Sequence, residues 1–325
     1  MRCFTPACTS STSLAARATR SARGAASTTS DDDSRCLLLA LSHDELGVIV
    51  DGLADPLQPV VAVALSSTCL GLRTPLRAAL EVLLQRHERA VTLCRMVGGV
   101  SMTCLTLRDA ETLDWSSKSL TVDDLATLGI LLPWMPRLMD CDLGESSVFG
   151  DEGIHALCER LGPGAPPSLT ELGIGDSRIG LAGAEALAAA LRRGAMPKLR
   201  NLHLACNPEL GGQGATALST VLKESPVLEC LDLGTCGIDD EGVASLVANL
   251  GKDDFKALKT LRLDKNDLTD VGCAKLVAAL RAGALPAIGE LYYKYPMDQS
   301  ESRISMHASQ EACEAVDAGL QQRLE

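Results

Sequence analysis

In the stretch LRNLHLACN, His203 and Cys206 stand three residues apart, and Cys230 follows in LECLDLGTC. An imidazole beside a thiol is the pairing that activates a cysteine nucleophile, because the base takes the thiol proton. It works in a closed, water-poor pocket. The remaining histidines, His43, His87, His155 and His307, are far apart and sit in no recognisable motif. Thirteen cysteines are scattered singly from Cys3 to Cys313, with no CxxC pair and no histidine at zinc-ligand spacing. They read as reduced, buried thiols of an intracellular protein. Gly251-Lys252 leads to Asp-Asp rather than Ser or Thr, so no phosphate-cradling loop is present in the sequence. The expectation is no enzyme, no metal and no cofactor. What remains is recognition chemistry, and the residues able to do it are placed by a repeat.

From Leu138 onward the chain realigns with itself every 29 to 31 residues. Five units open as LMDCDLGES (138), LTELGIGDS (169), LRNLHLACN (199), LECLDLGTC (228) and LKTLRLDKN (258), with apolar first, fourth and sixth places and Ser, Asn or Cys at the ninth. This is a strand that turns a corner. A glycine follows in each unit (Gly153, Gly183, Gly214, Gly242, Gly272), then apolar residues at helical spacing such as Val243, Leu246, Val247 and Leu250. Loops with Gly, Pro or charge, such as GPGAPPS and RRGAMPK, stop each helix. A strand and helix at this period bury their leucines by stacking on their neighbours.

These openings resemble the leucine-rich repeat family, and the unit length is similar to that of its ribonuclease-inhibitor-like subclass. The resemblance covers about 138–287 and implies an α/β fold: a right-handed solenoid, horseshoe-shaped, with parallel strands on the concave side and helices on the convex side. Asn207 and Asn266, at the ninth place, can bond backbone groups left unpaired where the strand turns away, with Ser146, Ser177 and Cys236 as weaker substitutes. MTCLTLRDA (102–110) is expected to open a divergent first repeat within 99–137. IGELYYKYP opens a capping repeat and helix over 288–325, where Tyr293 takes the core-facing sixth place and covers the end of the stack.

Side chains alternate along a strand, so the third, fifth and seventh places face the concave surface. Those places and the neighbouring eighth carry Asp140, Asp142, Glu145, Glu171, Asp176 and Asp232 in the early and middle units, together with Asn201 and His203. The late units carry Arg262, Lys265, Tyr292, Lys294 and Tyr295. Acid thus gives way to basic and aromatic character along the inner face. This map predicts a protein partner with a basic surface lying against the acidic half.

Residues 36–98 have helical apolar spacing without strands, broken by Pro56, Pro59 and Pro75. Leu41 to Arg73 resembles an F-box, with an opening Leu, Asp44-Glu45, Ile49 and Leu53 one turn apart, an Asp-Pro loop, Leu65 and Thr68-Cys69. Ser42 and Leu72 depart from that pattern. The resemblance implies docking on the Skp-type adaptor of a cullin-type ubiquitin ligase through Leu41, Leu46, Ile49, Leu53, Leu65 and Cys69. The same stripe also fits a helical cap shielding the first repeat. Pro75 to Val97, with Arg77, Arg86, Arg89 and Arg95, reads as a linker helix packing its leucines on the solenoid, or as a calmodulin-type target.

The first 30 residues hold four Arg, twelve Ser or Thr and no acid before Asp31, which fits either an organelle transit peptide or a disordered leader over 1–35. The formal charge of -12 argues against a general nucleic-acid binder, and no apolar run approaches the roughly 20 residues of a membrane span. The expectation is no nucleic acid, no membrane, and a cytoplasmic or nuclear location unless residues 1–30 direct the chain to an organelle. Two functions fit: a scaffold binding a protein on its concave face, as substrate receptor of a ubiquitin ligase, or a direct regulator or inhibitor of a GTPase, nuclease or other enzyme.

Overall fold

The computed structural model describes residues 54–68, 70–98, 101–248, 250, 254–292 and 308–324, and the chain divides after Thr92 into two units. In the first, the Asp55 carboxylate accepts the Leu57 N–H at 2.8 Å and forms a turn ahead of helix α1, Val60–Thr68. Val60, Val61 and Val63 are exposed on α1. Helix α2, Leu70–Gly98, continues through Pro75, where the sequence predicts a break; a proline early in a long helix costs a backbone bond that the rest of the helix can carry. His87 Nδ1 donates to the Pro56 carbonyl at 2.8 Å. Leu41, Leu46, Ile49, Leu53 and Cys69 lie outside the described residues, and Leu65 lies in α1.

The second unit is the solenoid. Its strands are β1 (Thr112–Asp114), β2 (Asp140–Asp142), β3 (Glu171–Gly173), β4 (Asn201–His203), β5 (Cys230–Asp232), β6 (Thr260–Arg262) and β7 (Glu290–Tyr292). They form one parallel sheet in chain order, in a register that aligns Asp140, Glu171, Asn201, Cys230, Thr260 and Glu290. Its helices are α3 (Cys104–Arg108), α4 (Val122–Leu131), α5 (Gly150–Glu159), α6 (Leu181–Arg192), α7 (Gly211–Leu222), α8 (Asp240–Val247), α9 (Asp270–Arg281) and α10 (Gln310–Leu324). From α4 to α10, consecutive helices pack side by side. The core lies between sheet and helices, where Leu143, Leu202, Leu204, Leu231, Leu233 and Leu263 are buried, each contributing roughly 2 kcal/mol. Among the described residues no helix is long and apolar enough to cross a membrane.

One expectation needs correction. The first strand is Thr112–Asp114, and Met102–Arg108 instead enters helix α3. Thr103 and Thr106 form a reciprocal capping box, each side chain accepting the other's backbone N–H. That local pairing favours a helix over an extended strand, whatever the apolar spacing. Trp115 then takes the core-facing place after β1, buried where later units carry Leu or Ile.

The corner after each strand is built the same way. Ser117, Glu145, Asp176, Cys206, Thr235 and Lys265 all have φ between 48° and 61°, the left-handed region that costs a non-glycine residue roughly 1 kcal/mol. Each of the first five donates its backbone N–H to a carbonyl of the next unit, as Glu145 does to Gly175 at 2.8 Å and Asp176 to Ala205 at 2.9 Å. Behind this row the asparagines form rungs. Asn207 Oδ1 accepts the N–H groups of Ser177 and Ile179, both at 3.0 Å, and its Nδ2 donates to the carbonyls of Ile174 and Leu204. Asn266 repeats the pattern one step on, with Cys236, Ile238, Leu233 and Leu263.

Candidate concave-face binding site

Because each strand is three residues long, its first and last side chains face the concave surface and its middle one enters the core. The left-handed corner then places the next exposed side chain over the same surface. Together they line an open trough of about 440 Å³ across β1 to β4, with Asp114, Asp140, Asp142, Glu145, Glu171 and Asp176 on its walls. Its floor includes Gly144, Gly173 and Gly175. A Cβ at Gly173 would lie 2.7 Å from Asp142 Oδ1, so glycine there leaves room for that carboxylate. Among the described residues neither lysine nor arginine lines the trough, and the one cationic candidate among them is His203.

The electrostatics follow from this crowding. Burial and the neighbouring carboxylates of Glu171 and Asp142 hold the Asp140 carboxyl above its ordinary value, with His203 working the other way. Asp142 Oδ1 accepts the Gly144 N–H at 2.9 Å, and Glu145 accepts the Ser117 hydroxyl from the preceding unit.

Beyond His203 the same face is neutralised. His203 Nε2 lies 3.1 Å from Glu171 Oε1, and its Nδ1 lies 4.0 Å from Asp232 Oδ2. Arg262 reaches Asp232 at 3.6 Å and Asp264 at 3.3 Å, and its guanidinium lies 5.3 Å from the centre of the Tyr292 ring. Asp232 also accepts the Gly234 N–H at 3.0 Å. Burial pushes its carboxyl up, but His203, the Gly234 N–H and Arg262 outweigh that and hold it below its ordinary value.

The structure therefore divides the residues named from the sequence. Asp140, Asp142, Glu145, Glu171, Asp176 and His203 come together in the trough. Asn201 stands beside them and donates to Glu171 at 3.2 Å. Asp232 does not belong with them: it is only 7% exposed, screened between His203 and Arg262. Nor is Arg262 a free cation at a basic end, since two carboxylates and a ring hold it. Lys265 and Tyr292 are exposed, whereas Tyr293, Lys294 and Tyr295 lie outside the described residues. Sequence reasoning missed Asp114 and Asp264. Counting back one unit from Asp142 finds the first, and the seventh place of the fifth unit holds the second.

The imidazole–thiol pair is not assembled. Both ring nitrogens of His203 face carboxylates, Cys206 is exposed on the open trough, and burial with nearby Asp232 keeps Cys230 a thiol. Among the described residues no group of histidine, cysteine and acid is placed to hold a metal ion.

A family profile described as Leucine Rich repeat matches residues 165–188, 195–219, 224–247 and 257–277, so these successive units are leucine-rich repeats. Curated relatives include Protein NLRC5 of Mus musculus, 36% identical over 135 residues, which are 42% of this chain and 6% of that protein. Tonsoku-like protein of Bos taurus is 34% identical over 122 residues, 37% of this chain and 9% of that protein. Centrosomal protein of 78 kDa of Mus musculus is 38% identical over 82 residues, 25% of this chain and 10% of that protein. The chain thus spans a tenth or less of the length of these relatives. Among solved structures, the yeast Rad7 and Elc1 complex superposes with a TM-score of 0.30 at 11% identity, covering 72% of this chain and 73% of that one. That likeness is too loose to argue from.

Proposed function

We propose that this chain is a protein-interaction scaffold that holds a lysine- or arginine-bearing segment of its partner in the concave trough of β1 to β4. One observation carries the reading: among the described residues, six carboxylates and neither lysine nor arginine line an open trough. Carboxylates crowded in this way raise the local negative potential and draw in cations. A leucine-rich-repeat sheet supports it, because a parallel ladder holds many weak contacts in register. The unit length of 29 to 31 residues supports reading the repeats as the ribonuclease-inhibitor-like kind.

The test is charge reversal where no internal partner is lost. Asp140→Lys with Asp176→Lys should abolish capture of a basic partner and leave the urea midpoint close to wild type. Asp232 is left out, since breaking its pairs would destabilise the fold. Unchanged capture by the double variant would sink the reading.

A second reading concerns residues 36–98. The F-box-like spacing of Leu41 to Arg73, together with the exposed Val60, Val61 and Val63 of α1, supports docking of a Skp-type adaptor, which would make the trough a substrate receptor for a cullin-type ligase. The adaptor is then expected to co-purify with the wild-type chain and not with the Ile49→Asp, Leu53→Asp variant. Absence of the adaptor from the wild-type sample would leave direct binding or regulation of the captured protein as the function.

A further inference from the structure

His203 stands at the boundary between the uncompensated acidic trough and the ion-paired remainder of the concave face. From the trough side it meets Glu171 of β3 at 3.1 Å, with Asp140 of β2 next in line. From the other side it meets Asp232 of β5 at 4.0 Å, with Cys230 on the same strand and Arg262 of β6 bound to Asp232 beyond. On its own strand Asn201 ties Glu171 at 3.2 Å, and Cys206 sits at the corner above. Among the described residues every other charged group lining the trough is a carboxylate.

We propose that His203 is a proton-operated control on this trough: protonated, it neutralises Glu171 at the edge of the acidic cluster and weakens the hold on a basic segment; neutral, it leaves the Glu171 charge to the partner. This rests on the reading of the trough as a site for a basic segment. Asp232 and Glu171 together outweigh burial and raise the pH at which the ring loses its proton above that of a free imidazole. The linkage has a definite sign. A cation seated in the trough disfavours the imidazolium, so binding within the titration range releases part of a proton, and affinity rises with pH.

The experiment is calorimetric titration of the full chain with a capped octalysine peptide, whose side chains stay charged throughout, between about pH 5.5 and about pH 8.5. One unit charge a few ångströms from a solvated cation corresponds to about a threefold gain in affinity across that range. Proton release should appear as a binding heat that depends on the ionisation enthalpy of the buffer. His203→Gln cannot carry the charge and should give a flat profile near the wild-type high-pH affinity, with its urea midpoint recorded to show that it folds. The same pH slope in wild type and His203→Gln would overturn the control and leave the trough reading standing. No octalysine binding at any pH would overturn both. An independent readout is the His203 ring titration by NMR: a midpoint above that of a free imidazole, falling in Glu171→Gln, is expected, and a midpoint at or below the free value rejects the proposal.

Discussion

Asn207 shows how much a single buried amide can carry in a stacked fold. Its side chain is fully buried and satisfies four backbone groups at the corner of two units. Asn207→Ala leaves two N–H groups and two carbonyls unpaired out of reach of water, so it should cost roughly 3 kcal/mol or more, read as a fall in the urea midpoint. Ser146, at the equivalent corner, is also buried, but its hydroxyl has no partner. Ser146→Ala should therefore change stability by less than about 1 kcal/mol, in either direction. The two substitutions distinguish a rung from a place-holder. The difference lies in reach: an asparagine rung extends back to the backbone of the preceding unit, whereas the shorter Ser146 hydroxyl finds nothing there and the Ser177 hydroxyl turns to Gly175 of its own unit.

At the scale of the element, the recurring glycines gain a reason that their spacing alone does not supply. A Cβ at Gly272 would lie 2.4 Å from Asp240 Oδ1, and one at Gly183 would lie 2.6 Å from Asp151 Oδ1. Acids in the first turn of one helix thus reach the start of the following helix, and glycine leaves them space. Asp240, in α8, accepts the N–H groups of Thr269 and Gly272 at 2.8 and 2.9 Å and also the Thr269 hydroxyl, capping α9. Asp151, in α5, reaches only the Gly180 N–H ahead of α6. Asp240→Ala should cost about 1–2 kcal/mol and speed hydrogen exchange in the first turn of α9, while Asp151→Ala should cost less. Equal losses for the two would contradict this account. These caps could not be read from a single unit, because donor and acceptor belong to successive units.

Across the solenoid, the phase of the five units from Leu138, the leucines of the core and the role of Asn207 and Asn266 were legible in the sequence. Each depends on local rules: alternation along a strand, helical spacing, and a short polar side chain where a strand turns away. The first unit was misplaced because MTCLTLRDA has a strand's apolar spacing, while its threonines cap a helix. The gradient from acid to base along the inner face also read differently in three dimensions. Composition placed Asp232 and Arg262 in opposite camps, and the fold ties them together. The sequence by itself determined which side chains face inward, because that is set by the two-residue period of a strand. Only the tertiary structure decided which of their charges are left for a partner, because each charge is answered from the neighbouring strands, whose residues are about 30 positions away in the chain and a few ångströms away in the sheet.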